Sequence, residues 1–250
     1  MPLRAINTAI YSSGTSRVVT VPITAEEGDL ATLIVCRTNS TITSDLSISG
    51  WTLHGSSAAT VTGGQITIWT KFITAPDIGA TVTVEVASTT RWAMAVMARH
   101  GVIGMDVAPV FSTLSDLTAT PTAPSITTVS SNTELVSIYG SQPYASGTPI
   151  SFTIPVGQTE IADISSTNGS SVNAAFAIGE EILGPIGVSG TRQAISETAD
   201  TLIDDRVRQG TATLAFAVAS GLTPVTEVSV RQSGAWVTKP IKTRNGGTWV

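Results

Sequence analysis

Few residues in this 250-residue chain could do covalent or acid–base chemistry, and their spacing argues against an enzyme. His54 and His100 are the only histidines, which excludes a multi-histidine metal site and leaves few candidates for a general base near neutral pH. No Gly-x-Ser-x-Gly elbow frames any of the many serines, and no glycine-rich loop has phosphate-cradling spacing. Glu180 and Glu181 are paired carboxylates in name only. Adjacent residues on a strand face opposite ways, whereas glycoside chemistry needs two carboxyls about 5 to 9.5 Å apart across one cleft. Asp200, Asp204 and Asp205 lack EF-hand spacing and have no glycine nearby, so they read as a solvated acidic loop with Arg206 and Arg208 as local partners. The expectation is no catalysis, no metal and no cofactor.

Cys36 sits alone in the apolar run Leu30 to Cys36 and reads as a small buried hydrophobe. Among the aromatics, Trp69 is the candidate for stacking on a sugar, because alternation sets it with Thr67 and Lys71, opposite Ile66, Ile68 and Phe72. Trp51 and Trp92 read as core, and Tyr139 and Tyr144 flank a loop.

The segments that must carry these residues are strands. Val82, Val84 and Val86 alternate with Thr81, Thr83 and Glu85, and the stretch from Gln65 to Phe72 alternates likewise, so both read as half-buried antiparallel strands. Leu30 to Cys36, Trp92 to Ala98 and Thr211 to Ala219 are apolar on both sides and suit central strands. Helix signals are confined to Ser196 to Gln209, where a loop or turn fits as well. Glycine and proline punctuation between the runs completes an all-β, antiparallel β-sandwich, expected over residues 1–222, with a short C-terminal β extension over 223–250. An internal echo matches Gly28-Asp29-Leu-Ala-Thr-Leu-Ile-Val with Ser131-Asn132-Thr-Glu-Leu-Val-Ser-Ile. Pro121 and Pro124 place the crossover between the two halves near 118–130, with strands of both halves sharing one core.

Charge is scarce at 12%, against the roughly 25% usual in soluble domains, which suits a subunit covered by neighbours. It is also polarised. Nine cations and all 18 acids precede Ser229, a balance of −9, while the remainder carries Arg231, Lys239, Lys242 and Arg244 and no acid. The net −5 argues against a nucleic-acid partner, since phosphate binding needs clustered cations. The opening Met-Pro-Leu-Arg-Ala-Ile-Asn lacks a leader pattern and no apolar run reaches the ~18 residues of a membrane span, so a soluble chain made in the cytoplasm, without membrane insertion, is expected.

The last residues repeat. Val230-Arg-Gln-Ser-Gly-Ala-Trp-Val237 and Thr243-Arg-Asn-Gly-Gly-Thr-Trp-Val250 lie 13 residues apart, joined by Thr-Lys-Pro-Ile-Lys. Each Ser-Gly or Gly-Gly permits a tight turn, after which Trp-Val forms a short apolar strand. This unit resembles the Gly-x-Trp-Val/Lys-Pro ends of minor tail proteins of tailed bacteriophages. The succession Gly28-Asp29-Leu-Ala-Thr-Leu-Ile-Val, Gly50-Trp51-Thr-Leu, Ile68-Trp69-Thr-Lys-Phe and Thr81-Val-Thr-Val resembles jelly-roll-like domains of their virions. Pro155 to Glu160, Asn173 to Ile178, Gly187 to Thr191 and Leu214 to Val218 continue the likeness. It implies a jelly-roll-like sandwich, localisation in a virion assembled in the host cytoplasm, and other virion proteins as partners, with several copies per particle. Arg231, Trp236, Val237, Lys239, Lys242, Arg244, Trp249 and Val250 would form the interaction element. Capsid decoration and a carbohydrate-binding, host-recognition module reading a surface glycan through Trp69 are the alternative roles.

Overall fold

The computed structural model describes residues 3–11, 13–38, 48–57, 65–86, 89–143, 150–165, 174–198 and 207–219, together with the backbone of 227–232, 235–240, 244–245 and 248–249. Among the described residues, apart from one 3-10 turn at Ala75–Asp77, every regular element is a strand and every pairing is antiparallel. No helix among the described residues is long and apolar enough to cross a membrane. The chain divides into two compact units, Met1–Val218 and Ala219–Val250.

The first unit is an all-β sandwich built from one topology used twice. Its first half runs β1 (Leu3–Tyr11), β2 (Ser16–Thr20), β3 (Leu30–Arg37), β4 (Thr52–Ser56), β5 (Gln65–Phe72), β6 (Thr81–Glu85) and β7 (Trp92–Arg99). These form a sheet of order β1-β7-β3-β5-β4 and a ribbon β2-β6. The second half runs β8 (Val102–Thr118), β9 (Thr122–Ala123), β10 (Thr127–Thr128), β11 (Thr133–Pro143), β12 (Ile150–Thr153), β13 (Thr159–Ser165), β14 (Ala175–Leu183), β15 (Gly187–Val188), β16 (Arg192–Gln193), β17 (Ile195–Thr198) and β18 (Val207–Val218). Its sheet order is β8-β18-β11-β14-β13, and the small pairs β9-β16 and β10-β15 stand where β2-β6 stands in the first half. Reading β8 for β1, β18 for β7, β11 for β3, β14 for β5 and β13 for β4 superimposes one strand order on the other. The pair β12-β17 is extra to the second half.

The strand faces follow from period-2 patterning. Ile34, Cys36, Ile66, Ile68, Ala95 and Met97 of the first sheet pack against Val136, Ile138, Phe176, Ile178, Leu214 and Phe216 of the second in one buried cluster. This is the shared core. The opposite face of the first sheet, with Leu33, Val35, Trp69, Trp92, Met94 and Val96, is covered by Val19, Val82 and Val84 of the β2-β6 ribbon. The far face of the second sheet, with Tyr139, Ala175 and Ala177, lies under Ala123, Ile150, Phe152 and Ala194. Four layers result, which is why central strands are apolar on both sides.

Two expectations need correcting. The halves meet at His100-Gly101, between β7 and β8, and not near 118–130; Gly101, with φ 68°, turns the chain sharply from one sheet to the other. Pro121 and Pro124 instead border the small strand β9, where few ladder bonds are needed. Strand β5 is buried on both faces for most of its length, because its polar residues find partners under cover: Gln65 with Arg37 and Thr67 with Ser56.

Candidate functional site

The C-terminal unit consists of two hairpins. Strands β19 (Glu227–Gln232) and β20 (Ala235–Pro240) pair with Gln232 opposite Ala235, so two residues, Ser233 and Gly234, connect them. Strands β21 (Arg244–Asn245) and β22 (Thr248–Trp249) pair with Asn245 opposite Thr248 across Gly246 and Gly247. The connecting residues 233–234 and 246–247 lie outside the described residues. The repeat's Arg-x-x-Gly-x-Trp spacing acquires a geometric meaning. Arg231 stands opposite Trp236, and Arg244 opposite Trp249. Val230 pairs with Val237, and Lys239 with Val228. Lys242 and Val250 lie outside the described residues.

A second cluster escaped the sequence reading. On β7, Ala93, Ala95 and Met97 face the shared core and the next residue in phase is Arg99; on β11, Glu134 precedes Val136 and Ile138 in phase; on β14, Glu180 follows Phe176 and Ile178. Each core-facing run thus has a charged end. Arg99 is 0% exposed, and Glu134 and Glu180 are 1% exposed. Arg99 Nη1 donates to Glu134 Oε1 at 2.5 Å and to Glu180 Oε2 at 3.2 Å, joining the first sheet to two strands of the second. Nη2 reaches Met97 Sδ at 3.2 Å, and the guanidinium lies 5.0 Å from the Phe216 ring centroid. Burial raises the Glu134 pKa well above the carboxylate range, opposed by Arg99 and reinforced by the neighbouring Glu180 carboxyl. A cleft of about 200 Å³ borders the cluster, lined by Glu134, Gly157, Thr159, Glu180, Glu181 and Ile182. The readable signal was strict alternation carried one step past the last apolar residue.

The remaining candidates are dispersed. Trp69 is 0% exposed beneath the β2-β6 ribbon, so it presents no ring to a sugar. The reading failed because strand alternation reveals which residues share a face, not whether another layer covers that face. Trp51 packs at the edge of the outer core and lines a separate cleft of about 310 Å³ with Lys71 and Asp77, which pair at 2.5 Å. Trp92 is buried core and its Nε1 donates to the Gly14 carbonyl at 3.0 Å.

His54 Nε2 lies 2.6 Å from Thr70 Oγ1 and burial lowers its pKa, while His100 is largely exposed, its Nδ1 accepting from Arg4 Nη2 at 2.9 Å. Glu181 faces away from Glu180 and pairs with Arg192 at 2.6 Å. Tyr139 is buried with its hydroxyl donating to Gln158 Oε1 at 3.0 Å. Tyr144, Asp200, Asp204 and Asp205 lie outside the described residues. Among the described residues no three His, Cys, Asp or Glu side chains gather as metal ligands.

The fold and these elements define an antiparallel β-sandwich over Met1–Val218 and a C-terminal unit, Ala219–Val250, containing two strand pairs. No protein-family model, curated protein or solved structure matches the chain.

Proposed function

We propose that this chain is a non-enzymatic structural protein of a tailed-bacteriophage virion, a minor tail or tail-tip component with a jelly-roll-like body. In this reading the sandwich is a rigid spacer and the C-terminal hairpins secure it to neighbouring virion proteins, further copies of the chain among them. The observation that carries it is the hairpin unit itself. Two copies of one Arg-to-Trp register lie within the compact unit Ala219–Val250, and after Ser229 that segment holds four cations and no acid.

Interface cores favour this pairing of residues. Tryptophan and arginine are the side chains most enriched among those that dominate binding energy, and a hairpin of few residues buries too little of its own surface to do without a partner. The cations complement acidic surface such as the body's balance of −9 would present on a neighbour. The jelly-roll description draws on the order β1-β7-β3-β5 with β2 beside β6, in which the first strand of each half lies next to the last.

The test is deletion of residues 219–250 from the full-length gene in a phage complementation assay. The truncated chain should retain its folding transition and be absent from purified particles, and W236A/W249A should reproduce the loss. Normal incorporation of the folded truncated chain overturns the proposal. Fractionation of particles carrying the intact chain separates a tail location from capsid decoration.

A further inference from the structure

The Arg99 cluster contains one positive group and two carboxyls in a space withdrawn from water. Arg99 occupies one oxygen of each glutamate, which leaves Glu134 Oε2 and Glu180 Oε1 buried with no hydrogen-bond partner. Two ionised carboxylates would place an uncompensated negative charge there and strand both oxygens, an arrangement that low dielectric penalises heavily. A single proton removes both difficulties. Carried by one carboxyl and donated to the free oxygen of the other, it satisfies the orphan pair and makes the cluster neutral.

Besides Arg99, the positive group acting on Glu134 is the chain's amino terminus, which lowers its pKa less than Arg99 does. Phe216 of β18 and Met97 of β7 contribute a ring face and a sulfur. Glu181 of β14 is engaged by Arg192, and Thr159 of β13 is the polar residue of that strand lining the adjoining cleft. Among the described residues no second cation forms an ion pair with Glu134 or Glu180.

We propose that Glu134 carries a proton, donated to Glu180, that latches the two sheets together, and that loss of this proton in alkaline solution loosens the seam at this end of the sandwich. The sign follows from linkage. A carboxyl whose folded-state pKa is raised holds its proton in the folded protein where the unfolded chain has released it. Stability is therefore greatest below the unfolded value and falls as pH rises towards the raised folded value. One proton corresponds to about a tenfold loss in the folding constant per pH unit across that interval.

Two measurements on the full chain test the latch. Melting temperature should fall between pH 6.5 and 9 in the wild type and fall less in E134Q, where the amide replaces that proton and Glu180 still balances Arg99. Infrared spectra at pH 7 should contain a buried carboxylic-acid C=O band that E134Q removes and alkali bleaches. E134Q/E180Q, with Arg99 unbalanced, should melt lower than either single variant at every pH. A wild-type melting temperature that tracks E134Q across this range, or no carboxylic-acid band at pH 7, overturns the proposal. Should E134Q fail to fold, E180Q and the wild-type spectrum decide.

Discussion

Gly140 probes the seam between the two halves directly. It lies in β11 opposite Gly210 of β18, and a Cβ built on it would stand 2.7 Å from both Cγ1 and Cδ1 of Ile66 in the first sheet and 2.9 Å from the Gly210 carbonyl oxygen. Gly140 therefore permits the close approach of Ile66 from the first sheet. Its φ is not positive, so alanine is excluded by space alone. Overpacking of this kind costs about 1–3 kcal/mol, offset by roughly 0.4–1 kcal/mol from the stiffer unfolded chain. The net expectation for G140A is ~1–2 kcal/mol, or a melting temperature lower by roughly 2–8 °C at this size. Ile66→Ala removes the two carbons in conflict while making its own cavity, at about 2–5 kcal/mol. G140A/I66A should consequently be less destabilised than the two single changes added, by about 0.5 kcal/mol or more, measured by urea denaturation at unchanged m-value. Additivity within about 0.3 kcal/mol would refute the argument that residues 1–99 and 102–218 share one core at this contact.

Two further outcomes follow from buried groups. Cys36 donates to the Ala175 carbonyl across the seam at 3.4 Å, and burial pushes its thiol up to about 12. The native protein should react with a disulfide reagent at pH 8 only at its opening rate, and stoichiometrically in denaturant; free-cysteine kinetics in the native state would contradict the placement. Asp163, whose Oδ2 accepts the Phe152 N–H at 2.8 Å, is raised by burial to about 6 from an ordinary 3.8. Because the folded state holds the proton more tightly, its contribution is greatest below pH 3.8 and lost as pH rises to about 6; D163N should flatten the stability profile over that window. An unchanged slope in D163N would show that Asp163 does not carry it.

How much was legible can be judged from particular strands. Val82, Val84 and Val86 are buried while Thr81, Thr83 and Glu85 are exposed, as alternation requires of a ribbon with one wet face. Leu30 to Cys36 and Trp92 to Ala98 are wholly buried, as uninterrupted apolar runs require. The echo between Gly28 and Ser131 falls on β3 and β11, the central strand of each five-stranded sheet, since the central strands are the most apolar. Its alignment was one residue out of phase. Placing Gly28 on Ser131 sets Ile34 against Ser137, whereas the residues that line the shared core are Ile34 and Cys36 on one sheet and Val136 and Ile138 on the other. A slip of one residue exchanges the faces of a strand, and apolar content alone does not register it.

The Arg-x-x-Gly-x-Trp repeat shows the same division. Composition and alternation determined that each copy holds two short strands, because only the chain's own covalent geometry is involved. Backbone pairing decided that arginine and tryptophan hold paired register positions in each strand pair. The sequence by itself determined which residues belong to strands and which of them share a face, for these depend on φ/ψ preference and a period of two. Tertiary structure alone decided that Trp69 is covered, that Arg99 meets Glu134 and Glu180, and that the halves divide at His100-Gly101. Those outcomes depend on which sheet lies over which face, and residues separated by 35 and 81 positions are brought together only when the layers close.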